Sequence, residues 1–164
     1  MSTSSRTATA TRPRRISPRD PRLGAWQDFL TAHALLMGRL EEELDEAMGM
    51  SLGEYSTLVQ LVQAPGRRKR MSDLADGAFL TRGGVTRLID RLEQDGLVER
   101  DRCVSDGRGT EAVLTEAGVD RLRAASRIHL RGVDEYYLSR GSDQDQETVG
   151  RVMRDVAEGI RAAR

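Results

Sequence analysis

The amino-acid sequence predicts a mostly α-helical protein with one small β-hairpin. Three observations predict it. Long stretches repeat apolar residues at the i, i+3, i+4, i+7 spacing of a helix buried along one side. Stop signals at Gly49, Pro65-Gly66 and Gly96 divide those stretches. Residues 97–115 read differently, as two short strands around a turn-rich tip.

The elements follow in chain order. Residues 1–22 hold six arginines, one acid (Asp20), three prolines and almost nothing apolar, which predicts a disordered basic arm. A long helix follows, striped by Trp26, Phe29, Leu30, His33, Met37, Leu40 and Leu44, and Gly49 ends it. Ser51-Leu-Gly-Glu54 is a capping box that opens a second helix, with Leu52, Tyr55, Leu58, Val59 and Val62 inward. Arg67-Arg-Lys-Arg70 is a basic run in the next connection. A short helix starts near Ser72. Thr81 caps the following helix, in which Val85, Leu88, Ile89 and Leu92 form the buried face and Gly96 is the C′ residue. Residues 97–102 and 110–115 pair as the hairpin. Thr115 caps another long helix, and Ser142 opens the last one, striped by Val149, Val152, Met153, Val156 and Ile160. A short helix, a second helix and then a hairpin is the order of a winged helix-turn-helix.

Composition narrows the function. Net charge is zero, but residues 1–22 carry an excess of five positive charges, so the remainder is acidic by five. Clustered charge can hold an anion on a neutral protein. The basic residues are 25 arginines and Lys69, which fits a GC-rich bacterial genome. One cysteine, Cys103, allows no internal disulfide and fits a reducing cytoplasm. No apolar run approaches the roughly 20 residues of a membrane span, and the first residues lack the apolar core of a secretory signal. Nucleophile–base pairs, Gly-rich phosphate loops after a strand and Cys/His clusters are missing, which argues against an enzyme and against a cofactor. His33 and His129 have no ligand-spaced partner on their own helices, so no metal is expected.

Chemistry concentrates in Phe79-Leu-Thr-Arg-Gly-Gly-Val-Thr-Arg-Leu-Ile-Asp-Arg-Leu92. Gly83 and Gly84 stand in the first turn, where each costs roughly 1 kcal/mol relative to Ala. The second helix of a helix-turn-helix enters the major groove N-terminus first. Glycines there let the helix end approach a sugar-phosphate strand, whose charge the free backbone N–H groups favour. Tight packing on the preceding helix is the other explanation. Thr81 and Arg82 lie in the same turn. Arg82 suits guanine O6/N7 or a phosphate, Thr86 a thymine methyl or a phosphate, and Arg87 the backbone. Arg70 ends a basic run beside this unit and suits a phosphate. At the hairpin tip, Asp106-Gly-Arg-Gly109 offers Arg108 to a narrow minor groove, with Asp106 placed to orient it.

The run Met71-Ser-Asp-Leu-Ala-Asp, the run from Thr81 to Arg100, Ser105-Asp-Gly-Arg-Gly109 and Leu114-Thr-Glu-Ala-Gly118 resemble the MarR family of bacterial transcription regulators. The resemblance covers roughly residues 23–162. It implies a homodimeric winged-helix regulator, a repressor or less often an activator, that recognises a palindromic operator in double-stranded DNA. It implies that the helix from Thr81 reads DNA, with Arg82, Gly83, Thr86 and Arg87 facing it, and that Arg108 is the wing-tip arginine. Position 83 is often a small polar residue in such proteins, and glycine removes that contact. It also implies release by a small aromatic ligand bound between dimer helices and winged domain. Trp26, His33, Met37 and Tyr55 are the candidates for lining that pocket, although core or dimer packing accounts for the same residues.

The domain reading is therefore a disordered arm over 1–22, a helical dimerisation region over 23–50 and 116–164, and a winged DNA-binding domain over 51–115. The dimer is expected because the first and last helices carry apolar stripes that a winged core covers little of. The alternative is a ligand- or metal-binding sensor, or an interaction module, on the same fold without DNA binding.

Overall fold

The computed structural model describes residues 17–77, 82–102 and 109–163. Most of the basic arm, with Thr81, Cys103, Asp106 and Arg108, lies outside the described residues. The elements are α1 (Arg22–Met48), α2 (Leu52–Gln63), a 3-10 turn (Pro65–Arg67), β1 (Arg68–Arg70), α3 (Met71–Gly77), α4 (Arg82–Gln94), β2 (Val98–Arg102), β3 (Thr110–Leu114), α5 (Glu116–Tyr136), a second 3-10 turn (Leu138–Arg140) and α6 (Asp143–Ala162). Helices dominate and one small sheet forms, as the periodicity predicts.

Two compact units divide the chain after Leu35, within α1. In the first, a turn at Ser17–Asp20 leads into α1, and Asp20 Oδ1 accepts the backbone N–H of Arg22 at 3.0 Å. The Arg22 guanidinium on the same carboxylate holds Asp20 down to about 2.

In the second unit, local signals set the helix ends. Ser51 Oγ accepts from Glu54 N at 3.2 Å, and Glu54 Oε2 accepts from Ser51 N at 2.7 Å, closing the predicted capping box. Gly96 takes φ +69° and donates to Glu93 O, while Leu97 donates to Leu92 O, the paired bonds of a Schellman stop. Thr115 Oγ1 accepts from Gly118 N at 3.0 Å and donates to Gly96 O at 2.8 Å, so one hydroxyl starts α5 and holds the end of α4. Ser142 and Asp145 form a second capping box at α6.

The core lies where α2, α4, α5 and the sheet meet. Leu58, Leu61, Leu74, Ile89 and Leu92 are fully buried there, with Val98 and Ala112 from the strands. On α2 the inward set is Tyr55, Leu58 and Leu61. Val62, predicted inward, is exposed, because the buried arc is centred on the other side of the stripe. Glu54 is buried as well, yet its carboxylate is matched by Ser51 and by Arg91 Nε of α4 at 3.1 Å. A buried carboxylate left unpaired would be costly. Here it caps one helix and anchors another.

The sheet departs from the prediction. It has three antiparallel strands in the order β1-β3-β2. Hairpin β2–β3 pairs Val98 with Leu114 through to Arg102 with Thr110, as expected. Arg68–Arg70, read as a connection, is a third strand whose register sets Arg68 opposite Val113 and Arg70 opposite Glu111. Three consecutive cations carry no strand periodicity. They become a strand because the second edge of β3 offers N–H and C=O groups that need partners.

Candidate nucleic-acid interface

α4 divides cleanly. Val85, Ile89 and Leu92 are buried, and Thr86 and Arg87 are exposed on another side of the helix. Arg82 and Gly83 open the helix, and Gly84 is half-buried. This placement follows from the 3.6-residue period, and the side that the core does not cover bears polar groups suited to a duplex.

Sequence reasoning missed what holds α4 to the wing. Arg100, in the middle of β2, donates to Asp90 Oδ1 at 2.5 Å, to Glu93 Oε2 and to Thr86 O at 3.4 Å. Asp90 and Glu93 lie on one side of α4 at i, i+3. The signal was therefore present in the sequence, but its partner became visible only once β2 lay beside the helix. With Glu54 holding Arg91, α4 is fixed to both α2 and β2.

The basic run is mostly occupied within the molecule. Arg67 pairs with Glu116 at 2.6 Å, and Arg68 reaches Asp101 at 3.5 Å and Glu111 at 3.4 Å. Lys69 Nζ donates to Gln60 Oε1 at 2.9 Å. Arg70 closes β1 and is half-buried. Internal carboxylates thus offset the charges of Arg67 and Arg68, which leaves less of the basic run for a phosphate.

The four pocket candidates fall in different settings. Trp26 is 54 % exposed, its ring stacked at 5.8 Å on Phe29, which in turn lies 6.0 Å from His33. His33 is exposed and Met37 half-buried. Tyr55 is buried. Its ring centroid lies 4.4 Å from that of His129, and its hydroxyl is 3.4 Å from Ser126 Oγ. His129 Nδ1 is buried with no hydrogen-bond partner among the described residues.

Burial holds the His129 imidazole below its ordinary 6.5. The fold therefore favours neutral His129, while the unfolded chain binds a proton more readily. This contribution to stability is complete above pH 6.5 and is lost as pH falls below it. We expect His129→Phe to flatten the dependence of melting temperature on pH just below 6.5. An unchanged slope would assign that dependence to other groups.

The comparisons with known proteins agree with this architecture. A family model described as the MarR family matches residues 48–109. The chain is 35 % identical to Sco3205, a MarR family transcriptional regulator from Streptomyces coelicolor solved in complex with DNA. That likeness covers 90 % of this chain and 91 % of the other, with a TM-score of 0.81. AbsC, a MarR family transcriptional regulator from the same organism, is 31 % identical over 91 % of this chain and 99 % of its own, also with a TM-score of 0.81. The HTH-type transcriptional repressor Mb2911 of Mycobacterium bovis is 30 % identical over 106 residues, 65 % of this chain and 74 % of the relative. With its winged helix-turn-helix, its hairpin and these likenesses, the chain belongs to the MarR family of transcriptional regulators, which are not enzymes.

Proposed function

We propose that this protein is a homodimeric DNA-binding repressor that recognises a palindromic operator and is released by a small aromatic ligand. The observation that carries the DNA reading is α4. It exposes Thr86 and Arg87, buries Val85, Ile89 and Leu92, and is tied through Arg100 to the wing. A related regulator solved with DNA supports a duplex as the partner. In this reading 51–115 is the DNA-binding domain, 1–22 a basic arm, and 23–50 with 116–164 the dimerisation region. Arg82, Gly83, Thr86 and Arg87 face the major groove, with Thr81 at the helix start and Arg70 on a phosphate. Arg108, oriented by Asp106, enters the minor groove.

The test is a gel shift of the purified protein with the intergenic DNA upstream of its own gene, under excess non-specific competitor. A retarded band that survives competitor and weakens with salt is the expected result. No retardation of that DNA or of a selected operator would sink the reading. Arg108→Ala is expected to weaken binding and to lower the salt slope by about one. An unchanged slope removes the wing from the interface.

The glycine pair gives a sharper prediction. If Gly83 lets the helix end approach DNA, Gly83→Ala raises stability by up to about 1 kcal/mol through helix propensity. Operator affinity falls at the same time. If packing demands the glycine, the same change lowers the melting temperature. A stable Gly83→Ala protein with full operator affinity would end the close-approach explanation.

Two further features support the dimer and the effector. Every residue of the α6 stripe is exposed, from 39 % at Met153 to 58 % at Ile160, and such a face is normally covered by a partner. Tyr55 and His129 pack ring against ring, and the buried His129 Nδ1 has no partner among the described residues, a donor–acceptor need that a phenolic hydroxyl would meet.

A further inference from the structure

Beside β1 lies a cleft of about 430 Å³, bounded by α2, the Pro65 turn and the start of α3. It is lined by Gln60, Gln63, Arg68, Lys69, Arg70 and Asp73, among others. Lys69 is the chain's one lysine. Its ammonium donates to Gln60 Oε1 at 2.9 Å and has no carboxylate partner among the described residues. That bond holds the Gln60 amide, whose Nε2 is buried and has no hydrogen-bond partner among the described residues. The other cation with a known partner here, Arg68, is matched by Asp101 and Glu111.

We infer that Lys69 and Gln60 form an oxyanion-binding site in this cleft. An ammonium group has three donors and no acceptor, and a buried amide N–H without a partner carries a desolvation penalty. A phosphate or carboxylate oxygen on the ammonium satisfies Lys69, and a turn of the Gln60 side chain toward the cleft brings its unpaired N–H to the same anion. A compact ammonium suits this role as a point charge, whereas Arg68 beside it is engaged in ion pairs. The cleft is in the size range of small-ligand sites, larger than a bare phosphate needs. Asp73, which also lines it, accepts hydroxyl donors. The fitting class is a small hydroxylated phosphate or carboxylate. A DNA strand phosphate offers the same oxyanion chemistry from a second source. The site is separate from Tyr55 and His129 and does not depend on α4 reading DNA.

The experiment measures binding of inorganic phosphate and of glycerol 3-phosphate to the full chain by calorimetry, at ionic strength held constant with sodium chloride. Lys69→Met and Gln60→Glu are compared with wild type. Gln60→Glu keeps an acceptor for Lys69, so the fold is retained, but it replaces the free donor with a negative charge. Each variant is expected to lose roughly tenfold or more in phosphate affinity, the worth of a charged hydrogen bond. The salt slope of DNA binding separates the sources. A fall of about one in Lys69→Met assigns the oxyanion to the DNA strand, and an unchanged slope with loss of phosphate binding assigns it to a free anion. If neither phosphate binding nor the slope depends on Lys69, the site does not exist.

Discussion

Gly118→Ala is expected to be strongly destabilising, with the tightest steric clash among the glycines whose surroundings are described. Gly118 is buried in the first turn of α5, and a Cβ built on it would lie 2.2 Å from the carbonyl oxygen of Leu97 and 2.6 Å from Leu114 Cδ1. The first obstacle is backbone, and it is already engaged. Leu97 O accepts the N–H of Thr115 at 3.1 Å, and Thr115 Oγ1 bonds Gly96 O and the Gly118 N–H. Shifting α5 to make room breaks the junction where α4 ends, the hairpin begins and α5 starts. Alanine returns at most about 1 kcal/mol in helix propensity, whereas overpacking against fixed backbone costs about 3 kcal/mol or more. The net effect is strong destabilisation. Chemical denaturation checks it, and a midpoint equal to wild type would mean that α5 can slide freely over Leu97. Gly53→Ala is the contrast. Its Cβ would meet the end of the Leu88 side chain at 3.3 Å and Ser51 Oγ at an ordinary 3.9 Å, so a small effect is expected.

Val156→Glu is expected to produce a monomer that still folds. Val156 is 53 % exposed in the single chain, so a charge there leaves the chain's own core intact and helical circular dichroism unchanged. In a two-fold dimer the same substitution appears twice in an apolar interface. At about 1–3 kcal/mol or more for each of the two uncompensated polar groups, association weakens by about thirtyfold or more. Binding to a two-fold operator falls with it, because each half-site is then held alone. Sedimentation velocity and gel shift read the two effects. Glu158→Gln, which neutralises a charge outside the stripe, leaves both nearly as in wild type. A Val156→Glu protein that remains a dimer would remove α6 from the interface. The dimerisation reading would then rest on the exposed rings at Trp26 and Phe29.

The sequence by itself determined what adjacent residues decide. The capping box at Ser51, the helix starts at Thr115 and Ser142, and the glycine stops at 49 and 96 each act through bonds spanning a few residues, so type and spacing suffice to read them. The two faces of α4 follow equally from its period, and the hairpin from turn residues flanked by strands. Tertiary structure alone decided the rest, because the partners are far apart in sequence. Arg68–Arg70 becomes a strand only when β3 presents an open edge. Arg100 meets Asp90 and Glu93 only when β2 folds back along α4. Lys69 meets Gln60, and Gly118 meets Leu97 O, across turns whose geometry no local pattern encodes. The physical reason is range. Propensity and capping energies are local and additive along the chain, whereas ion pairing, edge pairing and steric exclusion depend on distances that exist only after the core has closed.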